Sequence, residues 1–138
     1  MKIMQTHRVT LIIKKDNLIL LVHRIKSGNE YYVFPGGGVE EGESIETAAI
    51  REAKEETSLD VKFGKELLSF VSPSDNRTHH CFLITEFSGD LQLGGPEIDR
   101  QSESNKYVLE WQKIEDLEKF ELYPEELKNK LIEHLKAA

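Results

Sequence analysis

Residues 31–59, YYVFPGGGVEEGESIETAAIREAKEETSL, place a strand, a turn without side chains and a helix in immediate succession. YYVFP has the aromatic and β-branched composition of a strand, and Pro35 ends it. Gly36, Gly37 and Gly38 then predict a loop free of Cβ atoms, which a ligand can approach closely. From Ser44 to Thr57 the segment reads as a helix. Ser44 is a good N-cap, Glu46 sits in the first turn where the helix dipole favours it, and Ala48, Ala49 and Ala53 are strong helix formers.

On that helix Glu52, Glu55 and Glu56 stand at i, i+3 and i+4 and share an arc of about 100°. Ala49, Ile50, Ala53 and Thr57 form the adjacent arc expected to pack inward, while Thr47 and Lys54 point to solvent. Like charges at this spacing oppose helix formation by about 0.2–0.5 kcal/mol per pair, and near the C-terminal end they also oppose the dipole. Such a stripe is usually a solvated face screened by neighbours such as Arg51 and Lys54. Next to a glycine turn it acquires another reading, because Mg²⁺ takes oxygen ligands from one or two carboxylates and completes its shell with water and phosphate.

Residues 37–59 closely resemble the Nudix box, G-x5-E-x7-R-E-U-x-E-E-x-G-U with U aliphatic. Gly37, Glu43, Arg51, Glu52, Ala53, Glu55, Glu56 and Leu59 fall in its places, and Ser58 stands where the family has glycine. The resemblance implies an α/β (α+β) fold, a Nudix-type α/β/α sandwich with a mixed β-sheet, filling 1–138 as a single domain. It also implies hydrolysis of a diphosphate linkage in a nucleoside diphosphate derivative, with Mg²⁺ or Mn²⁺ and a water nucleophile. By the same carry-over Glu52, Glu55, Glu56 and the Gly37 carbonyl match metal ligands. Glu52 also matches a position assigned to general-base work, ligand and base not being separable from sequence. Arg51 would hold a box glutamate, with Glu43 a candidate supporting carboxylate, and Gly38 would lie along the substrate. Ser58 falls just past the helix end, where a left-handed conformation is usual and a residue other than glycine costs about 1 kcal/mol.

Outside the box, Glu97 follows Gly94-Gly95-Pro96 in a polar loop and is a candidate further metal ligand, with Glu103 as its rival. Arg8 and Arg24 are candidates for binding substrate phosphates, against ordinary surface pairing. His79 and His80 read as structural or solvent-facing residues, and Phe34 and Phe82 as core.

Before the box, VTLIIKK and LILLVHR flank Asp16-Asn17 as a hairpin. After it, 61–71 and 78–87 read as strands around the turn Pro73-Ser74-Asp75-Asn76, and YVLEWQKI as another strand. Residues 113–119 suggest a short helix. Pro124 opens a last helix, on which Leu127, Leu131 and Leu135 form one stripe. No linker or repeat divides the chain.

The 138 residues, 38% hydrophobic and 31% charged, suit one globular domain. The net charge of −7 argues against duplex nucleic acid as a partner and requires a local cation wherever phosphate binds. Cys81 is the only cysteine, which excludes an intrachain disulfide and makes a reducing cytoplasm the simplest compartment. The apolar runs at the N-terminus are too short to span a membrane. Oligomeric state, monomer or homodimer, is not written in the sequence.

The expected partner is a nucleotide or another small molecule linked to a nucleoside diphosphate. A MutT-like action on a nucleoside triphosphate, or on an oxidised one, that releases pyrophosphate leads. ADP-ribose or another nucleotide sugar is the alternative, since a proline some fifteen residues beyond the box marks some such enzymes and Pro73 lies 14 beyond Leu59. Diadenosine polyphosphates are disfavoured, because Asn76 stands where those enzymes often show tyrosine. In another class, a non-catalytic nucleotide-binding regulator would resemble the same family. Such proteins tend to lose box glutamates, and here Glu52, Glu55 and Glu56 are all present.

Overall fold

The computed structural model describes residues 6–73, 75–94 and 101–137. Ten strands and two α-helices are placed among these described residues. The strands are β1 His7–Lys15, β2 Leu18–Lys26, β3 Asn29–Val33, β4 Gly36–Gly38, β5 Asp60–Val61, β6 Lys65–Val71, β7 Thr78–Ile84, β8 Phe87–Ser88, β9 Asn105–Lys113 and β10 Leu122–Tyr123. The helices are α1 Ile45–Thr57 and α2 Glu125–Ala137, and Ile114–Lys119 forms a 3₁₀ helix. A mixed sheet runs in the order β10-β3-β2-β1-β7-β6, antiparallel except for the β1–β7 and β10–β3 pairs, with β4 added to β1 and β9 to β2.

The hairpin of β1 and β2 is a fork. The two strands pair only at Lys14↔Ile19 and Lys15↔Leu18. Beyond that point β2 pairs with β9 from Leu18↔Lys113 to Lys26↔Asn105, while β1 receives β4 through Arg8↔Gly38, Val9↔Gly37 and Thr10↔Gly36. The glycine run expected as a loop is therefore a short strand, filling the edge that β2 vacates. Propensity scales miss it because glycine gains nothing from a pleated surface except close approach. A Cβ on Gly36 would fall 2.2 Å from the Val9 carbonyl oxygen, so only glycine fits there.

Alternation along the strands sends side chains into two cores. Val9, Leu11, Ile13, Leu20, Phe82 and Ile84 pack with Ala48, Ala49 and Ala53 of α1 on one face. Ile12, Ile19, Leu21, Phe34 and Cys81 pack with Leu117, Leu127 and Leu131 on the other, under α2 and the 3₁₀ helix. Helices thus cover both faces of a mixed sheet, the architecture expected from the sequence. Burial, with Glu66 adding to it, pushes the Cys81 thiol up to about 12, which leaves it inert packing material.

Three readings of local structure change. The stretch 61–71 is two strands, β5 and β6, because Asp60–Val61 leaves to pair with β8 rather than β7. The stretch 78–87 breaks for the same reason after Ile84. Ile50 is 39% exposed instead of facing the core, whereas Ala49, Ala53 and Thr57 are buried as expected.

Candidate functional site around Arg51 and the glycine strand

The helix α1 starts where its sequence says. Ser44 accepts a hydrogen bond on Oγ from the Thr47 amide at 3.1 Å, and Glu43 turns back to accept the Glu40 amide at 3.0 Å. Ser58, which caps its C-terminal end, adopts φ 67°, ψ 9°, the left-handed conformation that glycine would supply, and donates its amide to Lys54 O. The Ser58 hydroxyl also donates to Gln92 O at 2.8 Å. Gln92 and Gly94 in turn donate their amides to the Thr57 and Glu56 carbonyls at 3.0 and 3.1 Å. The C-terminal end of α1 is thus closed by the segment leading towards 95–100. Glu97 lies outside the described residues.

Arg51 is the centre of the charged face. Its Nε and Nη2 donate to both oxygens of Glu43 at 2.7 and 2.9 Å, a bidentate pair. Its Nη1 donates to Glu52 at 2.9 Å and Glu55 at 3.1 Å, and Nη2 also reaches the Gly38 carbonyl at 3.1 Å. The guanidinium therefore ties three carboxylates to the glycine strand, and it bonds to two members of the stripe, Glu52 and Glu55, which offsets part of their mutual repulsion. The carboxyl groups respond differently. Hydrogen bonds from Arg51 hold Glu43 below the usual carboxylate range, against the opposing effect of burial. Burial pushes Glu52 above that range despite Arg51.

Glu52 and Glu56 meet the glycine strand directly. Glu56, 8% exposed, accepts the Gly36 amide at 3.1 Å. A Cβ on Gly37 would stand 2.4 Å from Glu52 Cδ, so the missing side chain is what lets the carboxylate lie against the backbone. Among the described residues no three histidine, cysteine, aspartate or glutamate side chains form a ready-made metal cage. The donor set is instead all oxygen and incomplete: carboxylates at one helix face beside the backbone of a strand without side chains. That set fits a hard divalent cation that completes its shell with water and phosphate oxygens.

The two arginines proposed for phosphates diverge. Arg24 lies with its guanidinium 3.8 Å from the Tyr107 ring centroid and donates to Asn105 and to Lys106 O, contacts that account for it without a ligand. Arg8 makes no side-chain hydrogen bond or ion pair among the described residues, and burial pulls its guanidinium below its ordinary range, with Glu56 the largest opposing influence. It lines a cavity of about 420 Å³ together with Thr10, Phe34, Asp75, His79 and Tyr123. Glu103 sits in a turn beside Ser27, whose amide donates to Ser104 O at 2.8 Å, and no described bond joins it to the box.

His79 is what sequence reasoning missed. It is 4% exposed, its Nε2 lies 2.9 Å from Asp75 Oδ2, and its Nδ1 has no partner among the described residues. Thr10, 1% exposed, leaves its hydroxyl unpartnered on the same cavity. A buried polar atom without a partner costs about 1–3 kcal/mol. Only the pairing of β7 with β1 decides which of two adjacent histidines turns inward, and no local signal carries it.

A NUDIX domain profile matches residues 4–135. The chain belongs to the Nudix family. Nudix proteins are hydrolases acting on diphosphate bonds. The chain is 39% identical over 90 residues to an ADP-ribose pyrophosphatase of Methanocaldococcus jannaschii, a match covering 60% of this chain and about half, 52%, of that protein. Solved structures share the fold at greater coverage. The Escherichia coli ORF135 protein superposes with a TM-score of 0.73 at 27% identity, covering 95% of this chain and 88% of the other. A MutT structure from a study of the Aliivibrio salmonicida and Vibrio cholerae proteins gives 0.71 at 27%, covering 95% of this chain and 96% of the other. The Nudix box occupies the glycine strand and α1, where Arg51 gathers its carboxylates. No helix among the described residues is long and apolar enough to cross a membrane.

Proposed function

We propose that this Nudix protein hydrolyses the diphosphate linkage of a nucleoside diphosphate derivative with the help of Mg²⁺ or Mn²⁺. The single observation that carries this is the Arg51 centre, which packs Glu43, Glu52 and Glu55 and the Gly38 carbonyl around one guanidinium beside Glu56. Residues held for structure alone need no such concentration of carboxylates against a strand of glycines. Glu52, Glu55, Glu56 and the Gly37 carbonyl would hold the cation, and Glu97 remains a candidate for a further ligand. The bound cation would lower the pKa of a coordinated water and neutralise charge developing on the phosphoryl oxygens.

The chain's own groups supply the rest. Arg51 fixes the rotamers of Glu52 and Glu55, so that neither has to be ordered when substrate arrives. Glu52, whose carboxyl is pushed up by burial, is suited to take a proton from the attacking water while Arg51 holds one of its oxygens. Gly36–Gly38 keep the approach to the phosphates free of side chains. Arg8 faces the cavity across β1 from β4 and is placed to receive phosphate or an acceptor of the organic group, which the cavity houses.

Nucleoside triphosphates are the leading substrates, on the likeness to MutT across almost the whole chain. ADP-ribose is the second reading, favoured by the M. jannaschii relative. A regulator that binds without turnover is disfavoured by the complete box glutamates. The deciding experiment is phosphate release, coupled to pyrophosphatase or phosphatase, over a panel of nucleoside triphosphates and nucleotide sugars with Mg²⁺. Glu56→Gln is expected to lower kcat by roughly 100-fold or more and to lose the rise in melting temperature that Mg²⁺ gives the unaltered protein. An unchanged rate at saturating Mg²⁺ removes Glu56 from the ligand set.

A further inference from the structure

The cavity wall opposite α2 is built from one face of the parallel β1–β7 ladder. Arg8 pairs in register with His79, and Thr10 with Cys81, so Arg8, Thr10 and His79 project to the same side. The Thr10 hydroxyl and His79 Nδ1 are buried without a hydrogen-bond partner among the described residues, and the Arg8 guanidinium lines the same cavity with no side-chain hydrogen bond to any of them. Two of the three residues are more than nine-tenths buried. Water-free packing would favour valine and phenylalanine at such places. Polar groups kept there without partners point to a ligand that supplies them.

The histidine is also oriented. Asp75 accepts from Nε2 at 2.9 Å, and Phe70 stacks on the ring with centroids 5.1 Å apart, so the stacking fixes the ring plane and the imidazole cannot turn over within it without losing the bond to Asp75. With the proton on Nε2, the neutral ring presents Nδ1 as an acceptor. Asp75 itself is anchored by the Arg77 amide at 3.0 Å, which fixes the carboxylate before any ligand arrives.

We infer that Asp75 and His79 are a specificity pair: Asp75 positions the ring so that Nδ1 accepts an N–H from the organic group of the substrate, beside an acceptor taken by Arg8. The ligand class is a nucleobase edge with a donor next to an acceptor, and Thr10 supplies either role at its flank. This rests on the functional reading above, which places the organic group in the cavity.

The test separates the two. Rates on ATP, GTP, CTP and UTP with Mg²⁺, and calorimetric binding of the four nucleoside monophosphates, are measured for the unaltered protein, His79→Gln, His79→Asn, Asp75→Asn and Thr10→Val. His79→Gln keeps an amide for Asp75 but removes the atom at Nδ1. KM for the preferred nucleotide is expected to rise about 10-fold or more with kcat within about 3-fold, and the preference among bases to flatten. His79→Asn, with a polar atom near Nδ1, should recover part of the loss. Asp75→Asn should shift KM the same way, and Thr10→Val should weaken binding while the melting temperature holds or rises. A folded His79→Gln or Asp75→Asn protein with unaltered KM and unaltered base preference overturns the pair. Monophosphate binding that depends on His79, with no turnover of these four nucleotides or of nucleotide sugars, would keep the pair and refute hydrolysis, and neither binding nor turnover would refute both.

Discussion

Two neighbouring glycines do different work. A Cβ at position 36 meets the Val9 backbone oxygen, which cannot move without parting β4 from β1, whereas a Cβ at position 37 meets only the far end of the Glu52 side chain. Gly36→Ala should therefore act on stability and Gly37→Ala on activity. The first is expected to unfold at lower denaturant, by about 1–3 kcal/mol. The second should stay folded but swing Glu52 off the strand, with kcat/KM falling roughly 10- to 100-fold. Equal losses of stability in both variants would show that Glu52 is not seated by the missing side chain.

At the level of the element, α1 is held at both ends by serines. Ser58 occupies a backbone conformation costly for any residue with a Cβ, yet its hydroxyl donates to Gln92 O. Ser58→Gly should exchange about 1 kcal/mol of relieved strain for one lost hydrogen bond of similar worth, leaving stability nearly unchanged. Ser58→Ala loses the bond and keeps the strain, and should cost about 1 kcal/mol in thermal or urea unfolding. This element was the most legible part of the chain: N-cap, carboxylate arc, buried alanines and left-handed end all follow from letters at fixed spacing. β4 was not legible, because three glycines carry no strand signal and its pairing depends on where β2 leaves β1. β10 was missed for its length, and the inward turn of His79 because strand registry, not local composition, decides it. Arg8 and Arg24 look alike in sequence, and only their neighbours separate them: Arg24 is consumed by Tyr107 and Asn105, while Arg8 faces a cavity.

For the whole molecule, the Glu43–Arg51 pair links the site to the acid limit of stability. Glu43 is held below its ordinary 4.5 in the fold, chiefly by the Arg51 hydrogen bonds, so its contribution is present at neutral pH and is lost as pH falls through the depressed value. Glu52, raised by burial, works in the opposite direction and takes up its proton more readily folded than unfolded. Urea unfolding with chelator present, followed from pH 7 to pH 3, should show Glu43→Gln less stable at pH 7 and the difference shrinking towards pH 3. A gap that does not change with pH would mean that the pair contributes packing alone.

The fork in the sheet divides responsibility for chemistry from responsibility for choice. On the β4 side the chain offers amides and carbonyls, which no exchange of side chains can diversify. On the β1–β7 side it offers side chains, Thr10 and His79 on the cavity and Arg8 at its border with the glycine strand. A protein engineer retargeting this scaffold would thus edit one wall of the cleft and leave the other alone, and the anhydride chemistry would travel unchanged from one customer molecule to the next.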